Sequence, residues 1–97
     1  MNEKLQDEHI DKLFKGILKL QSIEECYNFF EDLCTIPEIK TMSQRFHVAH
    51  MLTQKRIYTD IVKETGASSA TISRVSRSLN YGSDGYATIL KRLEDDE

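Results

Sequence analysis

Between Tyr58 and Leu79 the chain reads YTDIVKETGASSATISRVSRSL, and this run limits the fold more than any other. Ile61 and Val62 supply the apolar residues of one short helix. Gly66 follows where a helix ends and the backbone needs a positive φ, a conformation that costs glycine little. Ser68 comes next, with a side chain that accepts from the free N–H groups of a new helix. Ile72, Val75 and Leu79 then recur at helical spacing and turn one side of the second helix inward. The segment therefore reads as a helix-turn-helix over about residues 58–80.

What lies on the other side of the second helix points to a partner. Ser69, Ala70, Thr71 and Ser73 are short, so the helix can come close to base edges. Their hydroxyls donate or accept, and the Thr71 methyl can touch a thymine methyl. Arg74 and Arg77 follow one turn apart, and the helix carries no acid. This is the form of a helix that enters the major groove of duplex DNA. Thr71 and Ser73, with Ser69 and Ala70, are the expected base-edge residues, and Ser68 opens the helix beside them. Lys63 and Arg77 are the expected phosphate contacts, with Lys55 and Arg56 nearby; such contacts position a protein without specifying sequence. An ordinary helical hairpin also has a glycine turn and a serine cap, and the run GASSATISRV tips the balance toward DNA.

The formal net charge of −3 looks wrong for a DNA binder, but its distribution answers the objection. Glu3, Asp7, Glu8, Asp11, Glu24, Glu25, Glu31 and Asp32 crowd the first third, and Glu94 to Glu97 form an acidic end that reads as a solvated tail. Between Lys55 and Arg92 the bases outnumber Asp60, Glu64 and Asp84. Local sign governs phosphate contact, while net charge mainly weakens random association.

The rest of the chain reads as helices. Ile10, Leu13, Phe14, Ile17 and Leu18 mark a first amphipathic helix over roughly residues 3–21. Ser22 with Glu25 has the spacing of a capping box. The helix it opens carries Ile23, Cys26, Tyr27, Phe30, Leu33 and Cys34. Thr35 caps a third helix with Pro37 in its first turn. That helix runs to about Thr53 and is apolar on more than one side through Ile39, Met42, Phe46, Val48, Ala49, Met51 and Leu52, so it should be buried from several directions. Gly82 to Gly85 break the chain. A last helix carries Tyr86, Ile89, Leu90 and Leu93.

The expected fold is all-α, six helices and no strand, in a single domain over residues 1–97. A helical chain of 97 residues buries a limited core alone, so a large dimer interface would help it. No run is long and apolar enough to span a membrane, and no secretory signal opens the chain, which makes the cytoplasm the default compartment. Cys26 and Cys34, eight residues apart in one helix, would stand about 12 Å apart, beyond the roughly 7 Å a disulfide tolerates. They read as small core residues. His9, His47 and His50 are scattered and give no metal spacing with them. No nucleophile–base pair or phosphate loop points to an enzyme. The other class left open is a protein–protein adaptor on a helix-turn-helix scaffold, whose acidic or neutral outer face would differ from the basic one read here.

The chain also resembles the tryptophan repressor superfamily, most closely a small branch of it from Gram-positive bacteria. The likeness covers about residues 23–93. It is carried by Gly66 to Arg74, Ser76 and Ser78-Leu79, and more weakly by Thr35 and Arg45 in TIPEIKTMSQR. It implies an intertwined homodimer, with a dimer core over about residues 3–54 and 84–94, and a reading head made by the fourth and fifth helices. It implies a repressor acting on a palindromic operator. It further implies an amino-acid corepressor held between core and head, its ring between Arg45 and Arg74, with Thr35 near its amino group and Ser78 alongside. Val75 departs from the pattern, because the tryptophan-binding members have glycine there. A valine would take space beside the ring, so tryptophan is disfavoured and the pocket is filled or suits a smaller effector. An ordinary packing role for Val75 stays open. No cofactor is implied.

Overall fold

A computed structural model describes residues 2–96. The described residues hold a short 3-10 turn, Glu3–Leu5, and six α-helices: α1 Glu8–Ile17, α2 Ile23–Leu33, α3 Ile36–Thr53, α4 Tyr58–Thr65, α5 Ser69–Tyr81 and α6 Gly85–Asp95. No strand occurs among them. The chain divides into two compact units, one up to Ile39 and one from Lys40 on.

The first unit shows how local side chains set helix limits. The single helix expected over residues 3–21 is interrupted, because Asp7 is extended and its carboxylate accepts from the Ile10 N–H at 2.7 Å. That cap starts α1 afresh at Glu8. Ser22 caps α2 by accepting from the Glu25 N–H at 3.0 Å. Glu25 reaches back to the Gln21 N–H at 2.9 Å, one residue earlier than a capping box requires. Cys34 is not in α2 as expected. It is the extended C-cap residue, so the two cysteines do not share a helix.

The reciprocal box forms instead at α3. Thr35 Oγ1 accepts from the Glu38 N–H at 3.2 Å, and Glu38 Oε1 accepts from the Thr35 N–H at 2.8 Å. The Thr35 N–H, and after it the Thr35 side chain, holds the exposed Glu38 carboxyl below the usual glutamate range.

No residue of α1 or α2 is fully buried. The apolar stripe of α1 stays partly open: Ile10, Leu13 and Ile17 are half-buried, while Phe14 and the C-cap Leu18 are 55% and 81% exposed. On α2, Ile23, Tyr27 and Leu33 are exposed as well. Apolar stripes at helical spacing become favourable only when another surface covers them.

The second unit has a core of its own. Val48, Ala49 and Met51 from α3 meet Ile61 of α4, Ala67 of the turn, and Ile72 and Val75 of α5; Leu52, Tyr86 and Leu90 pack against this set. Each large side chain buried here stabilises the unit by about 2 kcal/mol. Phe46 of α3 and Tyr86 of α6 bring their rings to 6.4 Å. The apolar girdle of α3 is thus only partly used within the chain. Met42 stays exposed, and Ile39, Phe46 and Leu52 are half-buried.

The turn between α4 and α5 is tied down by several hydrogen bonds. Gly66 has φ 71°, a left-handed conformation, and its N–H donates to the Val62 carbonyl at 2.8 Å. The Thr65 hydroxyl donates to the Ile61 carbonyl at 2.7 Å and accepts from the Ala67 N–H at 3.1 Å. Gln44 of α3 donates its side-chain amide to the Thr65 carbonyl at 3.1 Å. An orphan carbonyl at the end of α4 is thereby satisfied from another helix, and α5 leaves the turn in a fixed direction.

Candidate nucleic-acid interface

The geometry of α5 begins at its cap. Ser68 Oγ accepts from the Thr71 N–H at 3.1 Å and donates to Thr71 Oγ1 at 3.1 Å. From there each residue turns about 100°. Ile72 and Val75 face the core, and Leu79 lies half-buried on the same side. Ser69, Ala70, Ser73, Arg77 and Asn80 fall on the opposite side, and all are exposed. The outer face of the helix is therefore short-chained at its start and basic one turn later.

Thr71 departs from expectation. It is half-buried, and its hydroxyl already accepts one bond from the cap, which leaves its O–H proton and one lone pair for a partner. The Arg56 guanidinium lies 3.8 Å from the Glu64 carboxylate, which His47 also approaches at 3.9 Å. This draws Arg56 toward Glu64, while Arg56 stays exposed beside Lys55 and Lys63. It also removes Glu64 as an unscreened negative charge beside the head. An exposed pair of this kind adds little stability.

The residues singled out for an effector are distributed unevenly. Thr35 lies in the first unit, where its hydroxyl and N–H are spent on capping α3. Arg45, Arg74, Val75 and Ser78 lie in the second. Arg45 is half-buried, and Arg74 and Ser78 are exposed. Val75 is 2% exposed and belongs to the core that joins α5 to α3.

Asn80 and Tyr81 escape the sequence-based expectation, although both are exposed at the far end of α5. Their signal is in the spacing. Asn80 and Tyr81 extend the stripe of Ser73 and Arg77 by three and four residues beyond Arg77. Asn80 is steadied there by donating to Ser76 Oγ at 3.4 Å.

Away from α5, a groove of about 930 Å³ runs between α3 and α6, lined by residues that include Phe46, His47, His50, Leu90, Lys91 and Leu93. Among the described residues no helix is long and apolar enough to cross a membrane. No group of three His, Cys, Asp or Glu side chains among them could hold a metal ion.

Residues 8–94 match the family model described as Trp repressor protein. The chain is 53% identical over 95 residues to the uncharacterised protein YerC of Bacillus subtilis, a match covering 98% of this chain and 91% of that protein. It superimposes on the crystal structure of a TrpR-like protein from Eubacterium eligens with a TM-score of 0.93 and 56% identity, covering 96% of each chain. It superimposes on a candidate Trp repressor from Staphylococcus aureus with a TM-score of 0.92 and 53% identity, covering 95% of this chain and 92% of that one. None of these descriptions is of an enzyme.

Proposed function

Because the chain belongs to the Trp repressor family, we propose that it is a sequence-specific DNA-binding regulator that works as a homodimer and represses by occupying its site. The observation that carries this reading is the outer face of α5: Ser69, Ala70 and Ser73 exposed at the start, Arg77 one turn on, and no acid along the helix. Short hydroxyl side chains let the backbone approach base edges, and the arginine meets a phosphate at the groove's lip.

The open apolar stripes of α1 and α2 and the α3–α6 groove support a dimer, since a single chain leaves them in water. A two-fold dimer would carry two α5 helices to major grooves about 34 Å apart and read a two-fold-related site. Duplex DNA as partner fits a cytoplasmic working place in a bacterial cell. Val75 is spent on the core, which argues against an indole beside Arg74 and for binding that needs no tryptophan.

The test is Arg77→Ala, measured by fluorescence anisotropy on several duplexes at several salt concentrations. Affinity should fall on every duplex alike. The salt slope should shrink by roughly 0.9 for each phosphate no longer neutralised, hence about 1.8 for a dimer. Unchanged affinity and slope would remove Arg77 from the interface.

A further inference from the structure

Tyr81 is 87% exposed, more than any other large apolar or aromatic residue among those described. Its hydroxyl has no hydrogen-bond partner among the described residues, and its ring makes no aromatic contact. A tyrosine left in water at the end of a helix calls for an explanation, and its neighbours supply one. Arg74, Arg77 and Tyr81 stand at i, i+3 and i+7, which is one exposed stripe of α5. The stripe is basic, then basic, then a hydroxyl donor.

The backbone beneath Tyr81 is held. The Gly82 N–H donates to the Ser78 carbonyl at 2.9 Å, and a Cβ on Gly82 would run into that oxygen. The chain therefore leaves the helix abruptly after Tyr81, and the tyrosine ends a rigid element. Only its two side-chain torsions remain to be fixed on binding, a small entropic cost for so large a contact.

Distance sets what the ring can reach. Ser69 and Tyr81 are twelve residues apart, about 18 Å along the helix, whereas the major groove is about 12 Å wide. With Ser69 and Ser73 at base edges, Tyr81 falls beyond the bases, over the sugar-phosphate chain. We infer that Tyr81 is a DNA-backbone contact of the reading helix, its phenol donating to a phosphate next to the one met by Arg77. This rests on the DNA reading above and adds a residue to it. A phenol is neutral, so it adds affinity without displacing a counterion. That separates it from an arginine on the same stripe.

The experiment compares the full-length chain with Tyr81→Phe and Arg77→Ala on the same set of duplexes across a salt series, with sizing of each protein. Tyr81→Phe keeps the ring and removes only the donor. It should weaken binding about fivefold per head, hence about 25-fold for a dimer, on every duplex, leave the salt slope unchanged and leave the oligomeric state unchanged. Arg77→Ala should flatten the slope. Wild-type affinity in Tyr81→Phe, a changed slope, a loss confined to particular base pairs, or a changed oligomer would each overturn the phosphate contact. A wild-type chain that binds no duplex would overturn the DNA reading and this contact together, whereas a silent Tyr81→Phe in a chain that binds overturns the contact alone.

Discussion

Ile72→Ala should destabilise the protein by about 2–5 kcal/mol, read as a lower denaturant midpoint at fixed protein concentration. Ile72 is 0% exposed and comes from the inward side of the reading helix. Its side chain belongs to the core in which Val48 and Met51 of α3 meet Ile61 of α4. Truncating it there leaves a cavity lined by groups from several helices. The loss should be largely cavity in origin, so Ile72→Val should cost only about 0.5–1.5 kcal/mol. The adjacent residue gives the contrast. Ser73→Ala alters an exposed side chain and should leave the midpoint within about 0.5 kcal/mol, while weakening discrimination between duplexes. If Ile72→Ala left the midpoint in place, the inward side of α5 would be wrongly assigned, and with it the outward side.

The second large effect concerns assembly. Phe14 of α1 and Leu18, the residue that caps its C-terminus, lie one turn apart, and both are mostly exposed in the single chain. Replacing both with glutamate puts charge where the proposed partner surface would close. The expected product is a monomer on a sizing column. Because two linked heads bind far more tightly than one, its affinity for a two-fold-related duplex should fall by about 10² to 10⁴. Helix content should change little, since neither residue is in the core around Val48 and Ile72. A dimer of unchanged affinity would mean that the α1 stripe faces something other than a second copy.

What is legible in the sequence is mostly local. Gly66 and Ser68 announce the turn, and the backbone there has the left-handed φ and the serine cap that those residues imply. The inward spacing of Ile72, Val75 and Leu79 is equally legible, because a 3.6-residue period needs no tertiary information. The differences arise where two local signals compete. Asp7 caps its own helix and so cuts the first one short. Glu25 bonds the Gln21 N–H rather than that of Ser22, while the same spacing at Thr35 and Glu38 closes a full box.

At the interface the limits are set by distant partners. Nothing in sequence spacing says that Gln44 of α3 reaches the Thr65 carbonyl, or that Arg56 lies beside Glu64. Thr71 is half-legible. Its position on the helix follows from the spacing, but its bond from the Ser68 cap does not. Val75 can be read as a pocket residue or a packing residue, and burial decides how its volume is used.

The most direct measurement is selection of bound duplexes from a random pool by the full-length protein, with and without a mixture of amino acids. The expected result is enrichment of a two-fold-related sequence whose half-sites are about one helical turn apart, reached without tryptophan. A pool that stays random after repeated rounds in both conditions, or that converges on a lone half-site, would contradict a paired reading of DNA by the α5 face.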